Sequence, residues 1–115
     1  MTRGGNIFAE VRPNGADEEI TLLAARPGAS VERIVSTGQA SPPGFWCDQG
    51  WTEWVMVLAG EAGVLVEGEA APRTLRPGDW LELPAHVRHR VDWTLADPPT
   101  VWLAVHWKGG GQAPG

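Results

Sequence analysis

The chain has 115 residues, a formal net charge of −5, a single cysteine and no long apolar N-terminal segment. This length accommodates one domain with one hydrophobic core. Lysine and arginine are scattered along an acidic chain, which argues against a nucleic-acid partner. The lone cysteine excludes an internal disulfide, and the apolar pattern argues against a signal peptide or a membrane partner. We therefore expect a cytoplasmic protein that spans residues 1–115 as one domain.

The first predicted element is a short N-terminal helix. Asn14 is a candidate N-cap, and it precedes three acidic residues and an Ile-Thr-Leu-Leu segment. The Arg-Pro-Gly sequence at residues 26–28 would end this helix. Residues 1–5 and 108–115 carry few apolar side chains that could anchor them, so both ends are expected to be flexible.

After residue 28 the chain is predicted to form strands, because Gly and Pro divide it into short apolar segments. The predicted strands are residues 30–36, 51–59, 64–67, 73–76, 80–83, 87–95 and 100–107. Many short strands at this spacing indicate an all-β sandwich or barrel. We expect the core of this domain to span about residues 30–107.

Residues 87–93 alternate between two kinds of side chain. The residues expected on one side of this strand are Val87, His89, Val91 and Trp93. Charged residues occupy the other side, so the pattern is typical of a half-buried strand. An imidazole among Val and Trp is either a hydrogen-bonded core group or a ligand for a metal or a substrate.

Glu53 lies in a predicted strand that is apolar on both faces. A carboxylate is costly to bury unless it is paired, hydrogen-bonded or bound to a metal. Glu53 is therefore a candidate functional acid, and the alternative is a water-exposed position at the strand end. His106 lies in another apolar strand and is a candidate ligand or a structural residue. His86, in a Pro-Ala-His turn, either lines the mouth of a pocket or faces solvent.

The residues that lead into the Glu53 strand offer further ligands. Asp48 or Gln49 could donate an oxygen to a hard cation or cap the turn. Cys47 is a soft ligand or, more commonly for a lone cysteine, a small packed side chain. The sequence shows no nucleophilic triad signature, phosphate-binding Gly loop or Cys-x-x-Cys pair.

The spacing of several of these residues resembles the two motifs of the cupin superfamily. Gly78, Pro84 and His89 match the second motif, and Glu53 with Gly60 matches the end of the first. The resemblance covers roughly residues 31–107 and is strongest to small bacterial single-domain cupins. It implies a jelly-roll β-barrel that holds Fe, Mn, Ni, Zn or Cu in its interior. The metal ligands of the family are a His-x-His pair, the glutamate and the second-motif histidine.

Glu53 and His89 match two of those four ligands, whereas the His-x-His pair is missing. Its positions fall at Cys47 and Gln49 on the shorter spacing, or at Trp46 and Asp48 on the longer one. The second motif also has Trp93 where the family has asparagine and His86 where it has glycine. A mixed site remains open: the candidate metal ligands are Glu53, His89, Gln49, Asp48, His86 and His106.

Two functions follow from this resemblance. The first is a metal-dependent enzyme of oxygenase, isomerase or lyase type, in which Glu53 and His89 act on a small organic substrate. The second is a metal-free module that binds or senses a small molecule. In both, the expected pocket residues are Trp46, Cys47, Trp93 and Trp102. Seven Trp residues also imply a large aromatic surface, and outward-facing Trp54, Trp80 or Trp107 would favour a homodimer.

Overall fold

The computed structural model describes residues 2–13 and 15–108, and these residues form eight strands and no helix. In chain order the strands are β1 (Glu19–Arg26), β2 (Ala29–Ser36), β3 (Thr52–Ala59), β4 (Ala62–Val66), β5 (Arg73–Leu75), β6 (Trp80–Leu83), β7 (His89–Thr94) and β8 (Thr100–Trp107). One sheet has the order β1-β2-β8-β3-β6 and the other has the order β5-β4-β7, and all pairs are antiparallel. The prediction of an all-β barrel is confirmed. The described residues contain no helix long and apolar enough to cross a membrane.

The seven strands predicted after residue 28 are confirmed, and their ends differ from the prediction by at most two residues. The flexible tail predicted from residue 108 lies almost entirely outside the described residues. Residues 2–5, at the other end, have no regular secondary structure and are exposed.

The predicted N-terminal helix is wrong, because the segment forms β1 and pairs with β2 from Ala29 to Val35. Pro27 and Gly28 make the two-residue turn between these strands, and Gly28 has a φ of 78°. Proline followed by a left-handed glycine suits the two central positions of a tight turn. A helix of this length is marginal in isolation, so pairing with β2 outweighs the local helix signals. The candidate N-cap Asn14 lies outside the described residues.

The two sheets bury a compact apolar core between them. Its buried members are Val55, Val57, Ala62, Val64, Leu75, Leu83, Trp102 and Ala104. The sharp turn from β3 to β4 brings strands of both sheets into this core. Gly60 makes that turn with a φ of 78°, and a Cβ there would lie 2.6 Å from Thr100 Oγ1. Only glycine fits this position without displacing the neighbouring strand.

A register shift in β7 decides which of its side chains face the interior. Val64 pairs with Val91 and Gly63 pairs with Trp93, so Asp92 is an extra residue that interrupts the alternation. The ring of Trp93 therefore lies against Gly63, where a Cβ would collide with it. The prediction that Trp93 shares the inner side with His89 is wrong, because strict alternation ends at the bulge.

Candidate functional site

A cavity of about 610 Å³ lies between the two sheets and opens to solvent. Most of its wall is apolar, and its polar side chains include Ser30, Glu32, Gln49, Glu53, His89 and His106. A concave apolar site with a few converging polar groups is the usual form of a small-molecule site. This cavity is therefore the candidate functional site.

The centre of the polar wall is a carboxylate shared by two imidazoles. Glu53 of β3 lies directly opposite His106 of β8, and His106 Nε2 lies 3.0 Å from Glu53 Oε2. From the other sheet, His89 Nε2 lies 3.4 Å from Glu53 Oε1. The Glu53 side chain is only 14% exposed. The two imidazoles supply the pairing that a buried carboxylate requires.

This pairing changes the protonation of all three groups. Burial by itself raises the pKa of Glu53, but the hydrogen bonds from His106 and His89 outweigh it and lower that pKa to about 2. Burial lowers the pKa of His89, yet the hydrogen bonds to Glu53 and to the Val87 carbonyl leave it above 6.5. The hydrogen bond to Glu53 raises the pKa of His106 by more than burial lowers it. Glu53 is therefore ionised at neutral pH beside imidazoles that protonate readily.

Hydrogen bonds to the backbone set the orientation of His89. Its Nδ1 lies 3.1 Å from the Val87 carbonyl oxygen, so Nδ1–H donates there and Nε2 faces Glu53. A bridge with Cys47 holds the backbone, since each residue donates its N–H to the carbonyl of the other at 2.7 and 3.1 Å. Nε2 is consequently the nitrogen that can exchange a proton with a molecule in the cavity.

Gln49 and Cys47 complete this end of the cavity. Gln49 Nε2 donates to Glu53 Oε1 over 3.1 Å, and Cys47 Sγ lies 3.7 Å from Gln49 Oε1. Burial, followed by the charges of Glu53 and Asp48, raises the pKa of the Cys47 thiol. The thiol therefore stays protonated at neutral pH, which suits a packed side chain and weak donor rather than a soft metal ligand.

The structure does not bring Asp48, His86 or Trp46 into the cavity. His86 Nδ1 pairs with Asp48 Oδ1 at 2.8 Å, and their side chains are 72% and 47% exposed. Trp46 instead carries the Arg88 guanidinium over its ring, 5.6 Å from the centroid. Trp102 does line the cavity, and its Nε1–H donates to Ser36 Oγ at 3.1 Å.

Two polar residues of the wall, Ser30 and Glu32 of β2, were not predicted from the sequence. Ser30 Oγ lies 3.4 Å from His106 Nδ1, and Glu32 Oε1 lies 3.6 Å from the same nitrogen. The signal available in the sequence was their alternation within the predicted strand 30–36, which puts both on one face. No sequence signal near residues 30 and 32 showed that this face of the strand contacts His106.

The side chains do not fit a divalent metal as they are arranged. Among residues 2–13 and 15–108, no group of three or more His, Cys, Asp or Glu side chains could hold a metal ion. The candidates that do meet are Glu53, His89, His106 and Gln49, and the two imidazoles contact separate oxygens of the carboxylate. Each of these imidazole nitrogens faces Glu53 as a hydrogen-bonding partner.

Comparison with known proteins decides the family. The family model described as Cupin domain matches residues 32–106. The chain belongs to the cupin family. A structure from Ralstonia eutropha JMP134, described as a putative mannose-6-phosphate isomerase, is 56% identical, with a TM-score of 0.91 over 94% of this chain and 100% of that one.

More distant solved structures share the fold alone. A protein from Thermus thermophilus is 21% identical, with a TM-score of 0.77 over 93% of this chain and 98% of its own. A Cupin 2 conserved barrel domain protein from Salinispora arenicola CNS-205 is 22% identical, with a TM-score of 0.67 over 96% of this chain and 92% of its own. No curated protein matches the sequence.

Proposed function

We propose that this cupin binds a small organic molecule in its cavity and catalyses proton transfer on it, as an isomerase does. The observation that carries this proposal is the Glu53 carboxylate held between two imidazoles in the wall of the cavity. Proton transfer next to a carbonyl group needs an acid and a base whose pKa values are set apart by their surroundings. The cluster supplies an ionised carboxylate and readily protonated imidazoles within reach of one bound molecule.

His89 is the residue that exchanges the proton in this proposal. Its Nδ1–H is committed to Val87, so Nε2 accepts a proton from the substrate or returns one to it. Glu53 stabilises the imidazolium that forms, across the 3.4 Å between Nε2 and Oε1. His106 is a positioning residue, because its bond to Oε2 holds the carboxylate in place. Trp102 and the other apolar residues of the wall would pack against the body of the substrate.

The similarity to the Ralstonia eutropha protein supports the class of reaction. Isomerisation between an aldose and a ketose moves a proton between neighbouring carbons, which matches the chemistry of the cluster. A phosphate group has less support in this cavity, whose wall sets the carboxylates of Glu18, Glu32 and Glu53 against two cations, Arg90 and Lys108. Arg90 donates through Nε to Asp92 at 2.9 Å and through its terminal nitrogens to backbone carbonyls, including Ser41 O at 3.2 Å. The Arg90 guanidinium therefore already has hydrogen-bonding partners. We propose for this chain the reaction class of the Ralstonia eutropha protein but not its phosphorylated substrate.

Two other functions compete with this one. A metal-dependent enzyme, expected from the resemblance, would use Glu53, His89 and His106 as metal ligands in place of their present hydrogen bonds. A metal-free binding or sensing module would use the same cavity without chemistry. One observation favours the binding module: Gln49, Glu53 and both imidazoles already have polar partners in one another without a substrate.

The test combines elemental analysis with deuterium exchange. The purified protein is incubated in D₂O with a panel of small aldoses, ketoses and other carbonyl compounds, including mannose 6-phosphate, and solvent deuterium in the substrate is followed by NMR. We expect His89→Asn and Glu53→Gln to slow exchange by about 10²–10⁴-fold, the usual range for general acid–base catalysis. His86→Ala, a surface histidine, is the matched control and should exchange at the wild-type rate.

The same experiment separates the alternatives. Near-stoichiometric metal that disappears in His89→Ala would replace this proposal by the metal-dependent one. A compound that raises the melting temperature without any exchange would indicate a binding module.

We also propose that the protein is a homodimer. Trp80 is 57% exposed and stacks on Trp54 with 5.9 Å between ring centroids. Ile20 and Leu22 of the edge strand β1 are 54% and 57% exposed. Trp80 on β6 and the β1 residues lie at opposite edges of the five-stranded sheet, so they form two separate exposed apolar patches, and such patches are typical of interfaces. Light scattering of the wild type and Trp80→Arg tests the aromatic face: a monomeric wild type would refute the dimer.

A further inference from the structure

Ser30, His106 and Glu53 form a row across three neighbouring strands. Ser30 of β2 pairs with His106 of β8, and His106 pairs in turn with Glu53 of β3. Directly opposite residues of antiparallel strands have Cβ atoms about 5 Å apart on the same face of the sheet. The row therefore brings a hydroxyl, an imidazole and a carboxylate together in the cavity wall, although the three residues are distant in the sequence.

The imidazole of His106 reaches both neighbours through its two nitrogens. Nε2 lies 3.0 Å from Glu53 Oε2, and Nδ1 lies 3.4 Å from Ser30 Oγ. When Nε2–H donates to Glu53, the lone pair of Nδ1 can accept the hydroxyl proton of Ser30. Glu32 Oε1, at 3.6 Å, is the other neighbour of Nδ1. Hydroxyl, imidazole and carboxylate in this order activate serine nucleophiles on unrelated folds, and the hydroxyl–imidazole bond is often long before substrate binds.

We propose that Ser30 is a nucleophile that accepts an acyl group from a small ester bound in this cavity, with His106 as its base. Ser30 Oγ bonds to the acyl carbon while the hydroxyl proton passes to His106 Nδ1. The bond from the acyl carbon to the ester oxygen breaks, and His106 returns the proton to the departing oxygen. Water then gives a proton to His106 and attacks the acyl carbon. The bond from the acyl carbon to Ser30 Oγ then breaks, His106 returns the proton to Oγ, and the acid is released. Glu53 stabilises the imidazolium in both halves of the reaction.

Ser41 provides a matched control in the same cavity. Its Oγ accepts a hydrogen bond from the Val91 backbone N–H at 3.0 Å. In the part of the chain that the structure describes, the Ser41 hydroxyl makes no hydrogen bond to an imidazole. Both serines line the cavity, so a reagent that enters it can meet either one. A difference in their reactivity therefore reports the contact with His106.

The first measurement is the release of p-nitrophenol from p-nitrophenyl acetate. General base assistance contributes about 10²–10⁴-fold, so we expect Ser30→Ala and His106→Asn to slow ester cleavage by at least ~100-fold. Ser41→Ala should slow cleavage far less than Ser30→Ala. Mass spectrometry of the quenched wild type should find the acetyl group on Ser30. An acetyl group on any other residue, or wild-type cleavage by Ser30→Ala, would overturn the proposal.

A second pair of variants keeps the test decisive if Ser30→Ala does not fold. In a Cys47→Ser background, Ser30→Cys and Ser41→Cys are labelled with iodoacetamide at neutral pH. A thiol beside His106 should ionise as a thiolate–imidazolium pair and react faster than the thiol at position 41. Equal rates would refute activation by His106. The ester and thiol assays do not involve the proton transfer proposed above, which is read from deuterium exchange, so either proposal can fail alone.

Discussion

Replacing Glu53 by glutamine tests whether the charge of the buried cluster stabilises the fold. The fall in the pKa of Glu53 from 4.5 to about 2 corresponds to about 3 kcal/mol of unfolding free energy, at ~1.4 kcal/mol for each pH unit. The raised pKa values of His89 and His106 come from the same contacts with Glu53, so no further free energy is added for them. We expect Glu53→Gln to lower the free energy of unfolding by about 3 kcal/mol between about pH 4.5 and 6.5, since it leaves the imidazoles of His89 and His106 without their anion.

The pH dependence follows from the direction of each shift. Glu53 has a lowered pKa in the folded state, so its contribution is complete above 4.5 and is lost as the pH falls through about 2. His89 and His106 have raised pKa values, so their contribution is complete below 6.5 and is lost as the pH rises through their folded-state values. The cluster therefore stabilises the fold most strongly between about pH 4.5 and 6.5.

Urea unfolding of the wild type and Glu53→Gln across the acidic and neutral range measures this effect. The difference in unfolding free energy should be largest in that window and should shrink towards pH 2. Glu82→Gln, at an exposed position on β6, is the control and should show no such profile. A difference that is the same at every pH would refute the electrostatic reasoning and would point to packing of the side chain.

Three further predictions concern the framework. Gly60→Ala should lower the unfolding free energy by about 2–4 kcal/mol, because φ is positive there and the new Cβ would collide with Thr100. Gly68 also has a positive φ but open space around it, so Gly68→Ala should lower the unfolding free energy by only about 1 kcal/mol. Thermal unfolding compares the two variants. Val57→Ala, at a fully buried position, should cost about 2–3 kcal/mol in urea unfolding, and a cost near zero would contradict its place in the core. Arg33→Met should speed hydrogen exchange in residues 2–13, because Arg33 donates a hydrogen bond to the Ile7 carbonyl at 3.2 Å. Unchanged exchange would show that this hydrogen bond does not hold the segment in place.

The sequence by itself was sufficient for most of the fold, and it pointed to the two residues at the centre of the candidate site. Strands such as β3 and β8 were predictable because apolar runs between Gly and Pro leave few alternatives. Glu53 stood out as a carboxylate in such a run, and its spacing to Gly60 together with the motif around His89 indicated the family. These signals are local, or depend on spacing along the chain, so they can be read without knowing which strands are neighbours.

The tertiary structure decided what depends on pairing between distant strands. Glu19–Arg26 became a strand because β2 was available to pair with it, and the bulge at Asp92 turned Trp93 towards Gly63. The cross-strand register between β2, β8 and β3 placed Ser30 beside His106 and Glu53. Register between segments far apart in sequence is set by the packing of the whole barrel, and a shift of one residue reverses every side chain, so local periodicity does not specify it.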